Sequence, residues 1–525
     1  MMKEYIVIAH SEPDIDSLHR DLTRDTREDL TVDQDTVPTR NITVANERLG
    51  NPRITHYFLT DDEAETLRND PRVEDLHPLP NPMALGKTIV QKSMANDGRT
   101  GNFNRNAVQD PYNINWGLRR TSQTSAETRI GNFYEYNNDG TGVDIVIMDD
   151  GVMIDHPEFL DVTGKSRVQR IDWYKETGIP GKMPVDHYRA TAYGGLEHGT
   201  HVAGIAAGKT FGYAKNSRIY SLRIFGNLSE AIDINDAFDL VRVWHSRKPV
   251  DPVTQNKRPT ICNLSWAYSW DFPTNGITKV VYRNQVSEFQ QGTGSKIRFG
   301  QKGRRHGIQV PSLDAEMQDA ERAGVIFVQS AGNFGQKIDT VDGVDYNNYY
   351  ISRHDWAGVI PAGRPIYYHR GSSPNSPNVI KVSAARDTTK FVERRYMEEV
   401  DSYSDRGPGC AIVAPGTNIT SATSSTSSFP KLNYVWSGVG RTDNFFVSKQ
   451  SGTSMSAPQV TGVLALYLSE NPRATPAQAR EWIINISIKD QILSSNSNSD
   501  WSNPYSLLGG PNRYLFNPFR KSYKS

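Results

Sequence analysis

Three short segments of this chain hold the residue types of nucleophilic catalysis, in the order acid, base, nucleophile. Val146-Ile147-Met148-Asp149-Asp150-Gly151 places a carboxylate at the end of an apolar stretch. His198-Gly199-Thr200-His201-Val202-Ala203-Gly204 places an imidazole at the start of a helix-like stretch. Ser451-Gly452-Thr453-Ser454-Met455-Ser456-Ala457-Pro458 places a serine where another helix opens. A serine hydroxyl is a weak nucleophile at neutral pH and needs an adjacent base. An imidazole can take that proton and return it to a leaving amine. A carboxylate on the other ring nitrogen fixes the tautomer and stabilises the imidazolium. A fourth segment, Val328-Gln329-Ser330-Ala331-Gly332-Asn333, sets an amide just past an apolar strand. The Asn333 amide could donate to the oxyanion of a tetrahedral intermediate, with the backbone N–H of Ser454 as second donor.

Taken singly, each segment is ordinary. Asp-Asp-Gly is a common turn and Gly-Thr-Ser is commoner still. His198 and His201 alone would suggest a metal, but no further ligands cluster with them, and His201 reads as a packed helix residue. What points to chemistry is the set, in one order, each member at a strand end or helix start.

The elements that must position them read as α/β. Apolar, β-branched strands at Val143 to Met148, Ile219 to Ile224, Thr260 to Leu264, Val325 to Gln329 and Val379 to Ala384 alternate with helices at His201 to Ala207 and Ile232 to Trp244. That alternation predicts a mostly parallel sheet with helices on both faces. Strand ends and helix starts then meet at one rim of the sheet, where ligands bind. Ahead of this unit, residues 1–78 read as a small α+β domain. It has strands at Tyr5 to Ala9, Ile54 to Leu59 and Arg72 to Leu76, and a helix face of Ile15, Leu18 and Leu22. Thr60 with Glu63 forms a capping-box pattern for a second helix. Residues 79–113, rich in Asn, Gly and Pro, read as a linker, and 114–525 as the main domain. Its aromatic end, Tyr514 to Phe519, is expected to pack back.

Composition bounds the rest. The 525 residues are 37% hydrophobic and 22% charged, enough for a large core. Acids and bases both number 59, so no global field draws the chain to nucleic acid or to an acidic membrane. Two cysteines, Cys262 and Cys410, exclude a disulfide scaffold and leave room for one bridge; Cys262 reads as a small buried hydrophobe. No signal-peptide pattern opens the sequence, so a cytoplasmic or particle-associated location is expected over classical secretion. No stretch approaches a membrane span.

The four segments resemble the signature blocks of the subtilisin-like serine proteases, whose acid, base and nucleophile follow in this order. By that likeness Asp149, His198 and Ser454 are the triad and Asn333 the oxyanion asparagine. Trp116-Gly117-Leu118, His156-Pro157-Glu158-Phe159 and the short Thr210-Phe211-Gly212-Tyr213-Ala214-Lys215 are similar to the proteinase K branch. Asp70-Pro71-Arg72-Val73-Glu74 resembles a piece near the end of the family's inhibitory propeptide. The resemblance implies a serine endopeptidase working through an acyl-enzyme on protein or peptide substrates, without a cofactor. It implies an N-terminal domain acting as chaperone and inhibitor, either cut off by self-cleavage or kept tethered. A catalytically silent structural or assembly protein on the same fold is the alternative. Oligomeric state is not legible.

The resemblance also places the substrate as an added strand between two segments. One is Asn263-Leu264-Ser265-Trp266-Ala267; the other runs from Gly226 to Ala231. Ala267 and Tyr268, and Ser229 and Ala231, stand where glycines are usual, so these walls are bulkier. The floor glycine is kept at Gly371. A pocket for small or medium uncharged side chains is expected. Asp150 stands where Ser or Thr is usual; either it is a solvated turn carboxylate, or it favours the imidazolium of His198 and shifts activity to higher pH. The branch's tight calcium site would use backbone oxygens of Pro377 and Val379 and a carboxylate where this chain has Ala411, so no metal is assigned. Two insertions, near 271–311 and 336–370, interrupt the pattern. The first carries Lys296, Arg298, Lys302, Arg304, Arg305 and His306, read as a solvated basic loop, with docking of an acidic partner as the alternative. The second is rich in Tyr and Asp and is expected to overhang the cleft.

Overall fold

The N-terminal strands pair antiparallel in the order Val44–Asn46, Ile54–Leu59, Lys3–Ala9, Val73–Pro78. In this computed structural model the described residues are 2–24, 36–48, 50–79, 116–124, 136–161, 163–188, 195–226, 230–252, 255–273, 275–289, 300, 305–354, 360, 362–392, 395–424, 432–438, 441–493, 503 and 505–519. Residues 80–113 of the expected linker lie outside them, as do Ser229, Lys296, Arg298, Lys302 and Arg304.

Alternation along Lys3–Ala9 turns Tyr5, Val7 and Ala9 to one face. There they meet Ile15, Leu18 and Leu22 of the helix Glu12–Thr23 and Leu67 of the helix Asp61–Leu67. Thr60 and Glu63 form the capping box, each side chain accepting from the other's backbone N–H. The opposite face, Ile6, Ile8 and Ile54, packs on Ala315 of the helix Pro311–Arg322. Buried ion pairs flank this patch: Arg48 reaches Asp239 at 3.0 Å and Glu316 at 2.9 Å, and Arg53 reaches Asp319 at 3.2 Å.

Among the described residues the main sheet has ten strands. Seven neighbouring strands run Val168–Gln169, Arg218–Arg223, Asp144–Asp149, Thr260–Leu264, Ile326–Ser330, Ile380–Val392, Ile412–Pro415, all in parallel pairs. Both faces of the central strands Asp144–Asp149, Thr260–Leu264 and Ile326–Ser330 are buried, as continuous apolar runs require. Ile145, Ile147, Ile261, Val328 and Val382 face the helices Glu197–Ala207, Thr453–Glu470 and Pro476–Ile486. Val146, Met148, Cys262, Leu264 and Phe327 face Ile234–Arg247 and Pro311–Arg322. The fold is α/β. Cys262 and Cys410 are both free and buried. The aromatic end returns as expected: Tyr514 joins the sheet and Phe519 lies against Trp482, which stacks on Tyr467 at 4.2 Å.

The two insertions are not separate loops. Gln285–Glu288 and Ile277–Tyr282 from the first pair with Tyr349–Ser352 and Pro365–Tyr367 from the second, as one antiparallel sheet around Phe272, Val280, Tyr350 and Tyr368. Of the basic residues, Arg305 pairs with Asp271 at 2.6 Å while both stay partly exposed, and His306 is buried rather than solvated, in contact with Phe272 and the Tyr350 hydroxyl.

Candidate active site

Register fixes the frame of the site. Ile147 pairs with Asn263, and Leu264 with Gln329, so the carboxyl ends of three adjacent strands lie together. Asp149 ends the first strand, Ser265 follows the second, and Asn333 follows the third by three residues beyond Ser330.

Asp149 is fully buried, and its two oxygens lie 2.9 and 3.0 Å from His198 Nδ1. A carboxylate only accepts, so Nδ1 donates and Nε2 is the basic nitrogen. Nε2 is buried and has no hydrogen-bond partner among the described residues. Burial alone would lower the imidazole's pKa, but the Asp149 charge and hydrogen bond, then Asp150 and Glu197, outweigh it and raise it.

His198 lies in the first turn of the helix Glu197–Ala207, which begins earlier than the expected His201. Leu196, the residue before it, supplies no capping side chain. Asp150 does so from the neighbouring strand end: its carboxylate accepts from His198 N at 3.1 Å and Gly199 N at 2.7 Å. Asp150 is therefore no solvated turn residue. Burial pushes its carboxyl up to about 7, the Asp149 charge adds, and His198 and the two amides oppose. Gly199 makes the approach feasible, since a Cβ there would sit 2.3 Å from Gly151 O. His201 is packed, its Nε2 3.1 Å from Ser448 O, and burial pushes its pKa down to about 3.

Ser454 stands in the first turn of the helix Thr453–Glu470. Its hydroxyl donates to Ser265 O at 2.9 Å, and its carbonyl accepts from Ser265 Oγ at 2.9 Å. Asn263 donates to Ser265 Oγ at 2.8 Å and accepts from Thr461 at 2.9 Å, so Ser265 is held from both sides. Asn333 Oδ1 accepts from Thr453 N and Thr453 Oγ1, each at 2.9 Å, which docks the asparagine on the same helix start as Ser454. Asp405, not singled out by any motif, anchors the turn after Asn333: it accepts from Phe334 N at 3.0 Å and Gln336 N at 2.8 Å. Burial pushes its carboxyl up to about 7, against those amide bonds.

The expected substrate segments come together through aromatic contact. Trp266 meets both Phe225, the neighbour of Gly226, and Tyr268, with ring centroids 5.8 Å apart in each pair. Trp266 Nε1 donates to Met148 O at 2.8 Å, tying that wall to the Asp149 strand. Ser265, Trp266 and Ala267 are all buried. Gly371 has φ +78°, and its carbonyl accepts from Gln309 at 2.6 Å.

Comparison with known proteins bears on the whole of this unit. A family model, the subtilase family (peptidase S8), matches residues 140–504. Subtilisin-like protease 8 of Trichophyton verrucosum (strain HKI 0517) is 27% identical over 408 residues, covering 75% of this chain and 61% of that protein. The chain thus spans about three-fifths of that relative's length. An extracellular serine proteinase of Thermus sp. (strain Rt41A) is 26% identical, covering 79% of this chain and 68% of that one. Among solved structures, fervidolysin from Fervidobacterium pennivorans is 18% identical with a TM-score of 0.48, over 98% of this chain and 61% of that one. Because the family match runs over well more than half of the chain and contains every candidate residue at this sheet rim, the chain belongs to the subtilase family.

Proposed function

We propose that this chain is a serine endopeptidase that hydrolyses peptide bonds through an acyl-enzyme. The observation that carries the reading is the imidazole of His198: Nδ1 is held by Asp149, and Nε2 is left with no partner among the described residues. A base oriented on one nitrogen and unengaged on the other is what a serine nucleophile needs. In the reaction, Ser454 Oγ turns from Ser265 O to Nε2, gives up its proton and attacks the substrate carbonyl. The C–N bond breaks as His198 returns the proton to the leaving amine. Water then repeats the sequence to release the acid. Asn333 and the Ser454 backbone N–H would donate to the oxyanion. None of these steps requires a cofactor.

The N-terminal sheet would act as the inhibitor. Its support is the apolar patch of Ile6, Ile8 and Ile54 on Ala315, with Arg48 and Arg53 engaging acids on two helices of the catalytic unit. Self-cleavage between this sheet and the catalytic unit belongs to the same reading.

A second reading, a silent protein on a peptidase fold, draws on the hydroxyl of Ser454, which is bonded to Ser265 O rather than to His198. Catalytic hydrogen bonds often form only with substrate bound, so that geometry does not decide the matter. Fluorophosphonate labelling of the wild type and of Ser454→Ala, with intact mass before and after, does. Label on the wild type alone supports the enzyme. No label, even after removal of the N-terminal sheet, would favour the silent protein.

A further inference from the structure

The floor glycine stands against a cation. A Cβ on Gly371 would lie 3.3 Å from Lys381 Nζ and 3.1 Å from Ile338 Cγ2, closer than a Cβ ordinarily approaches, so the glycine is what lets the ammonium lie against this floor. Lys381 itself is 5% exposed. It belongs to the strand Ile380–Val392 and is the register partner of Gln329 in the parallel strand Ile326–Ser330. Register partners in a parallel pair point to the same face, so the two side chains lie side by side.

Neither is satisfied by the protein. Lys381 Nζ makes no hydrogen bond and no ion pair within 4 Å among the described residues. Both polar atoms of the Gln329 amide are buried and without a partner, and so is the hydroxyl of Tyr268. Tyr268 belongs to the wall beside this floor, its backbone N–H donating to Ser372 Oγ at 2.9 Å. One carboxyl acts on the ammonium through space: Asp314, hydrogen-bonded to Ser373, is pushed up to about 7 by burial, and Lys381 opposes that shift. Burial lowers the pKa of Lys381, with Asp314 and Cys410 opposing. Buried polar groups in native proteins are almost always paired, with protein or with water. A cation with little exposure and a fully buried amide, adjacent and both without a partner among the described residues, form a receptor for an acceptor group.

We propose that Lys381, lying against Gly371, makes the primary pocket selective for a carboxylate side chain, glutamate above all, on the acyl side of the scissile bond. Glutamate reaches the floor where aspartate stops one methylene short. A carboxylate there would accept from Lys381 Nζ and from the amide nitrogen of Gln329. The expectation of an uncharged occupant came from the walls alone, Ala267 and Tyr268; the cation enters from a strand that no substrate motif marks. This inference rests on the peptidase reading above.

The test uses full-length chain counted by fluorophosphonate label, and peptides identical except for Glu, Gln, Leu or Lys at the cleaved position. Wild type should prefer Glu over Gln by about ten- to a hundredfold in kcat/KM, the margin of a charge-assisted over a neutral hydrogen bond in a desolvated site. Lys381→Met should invert the order to Leu over Glu. Asp314→Asn, which removes the competing carboxyl, should widen the Glu preference. A normally labelled wild type that cleaves Gln or Leu as well as Glu overturns this proposal and leaves the peptidase reading intact. So does an unchanged Glu-to-Gln ratio in Asp314→Asn, which serves if Lys381→Met does not fold. A wild type that takes no label overturns the peptidase reading, and this proposal with it.

Discussion

Replacing Asp150 with asparagine separates its two effects, capping and charge. The carboxylate lies over the first turn of the histidine helix, bonded to His198 N and Gly199 N. The Asp150 charge favours the imidazolium of His198, and a unit charge taken at a separation of about 6–7 Å and an effective dielectric constant of about 20 does so by about 2.5 kcal/mol. The carboxyl's own pKa is pushed up to about 7, so near neutrality only part of the charge is present. Half of it leaves about 1.2 kcal/mol, or about eightfold in the balance of imidazolium to free base. Catalysis needs the free base. Asp150→Asn should therefore keep about eightfold more of its plateau kcat/KM on the acidic side of the profile, with that limb moved to lower pH.

Stability gives an independent readout of opposite character. Asparagine keeps one acceptor of two, so the variant loses about 1–2 kcal/mol of cap and buried hydrogen bonding at low pH. In the wild type the folded pKa lies above the unfolded value of 3.8. Its contribution is thus complete below that unfolded value and is lost as pH rises to about 7. The variant has no such loss, so the gap in melting temperature should close between pH 4 and pH 7. Rates of a chromogenic peptide, normalised to label, and melts across that range make the measurement. An acidic limb that stays in place would refute the electrostatic role and leave Asp150 a cap only.

Four further outcomes follow from the same geometry. Asn333→Ala should lower kcat by about 10²–10³ with little change in KM, since on the peptidase reading proposed above the amide would act on the oxyanion rather than on bound substrate; an equal rise in KM instead would contradict that role. Asp405→Ala, which frees the amides of Phe334 and Gln336, should cost about 1–3 kcal/mol in urea midpoint and lower kcat as well, because it positions the Asn333 turn. Arg48→Met leaves Glu316 buried without its cation and Asp239 with only Arg242, 3.4 Å away; the N-terminal sheet should be held about 3–5 kcal/mol less tightly and become digestible by added trypsin, and unaltered resistance would argue against the contact. Cys410, its thiol pushed up to about 11 by burial, and Cys262, raised further, should resist a thiol reagent in the native chain and react only on unfolding.

What was legible in the sequence was whatever is local. Asp149, His198, Ser454 and Asn333 each sit in a short segment whose residue types the chemistry dictates, and strand ends and helix starts could be placed from apolar runs. The capping box at Thr60 and Glu63 was readable because both partners lie within one turn. The true start of the His198 helix, Glu197 rather than the expected His201, is not legible for the converse reason. Its cap is Asp150, forty-eight residues away in sequence, and Leu196 offers no local signal. The paired insertions were missed likewise: Ile277–Tyr282 carries β-branched residues, but its partner Tyr349–Ser352 lies in the other insertion, and only a tertiary contact joins them.

The pocket shows how far this limit reaches. Ile380-Lys381-Val382-Ser383-Ala384 reads as a strand in which a lysine alternates with apolar residues, the pattern of a face turned to solvent. In the parallel centre of the sheet there is no such face, because helices cover both sides. The lysine is therefore buried, and it is buried beside Gln329, a second polar residue in what should be a core strand. Two polar side chains in register in central strands conflict with packing, and such conflicts are retained where a site uses them. The signal was present in the sequence as two separate anomalies. Only the register, which sets them side by side behind Gly371, gives them one explanation.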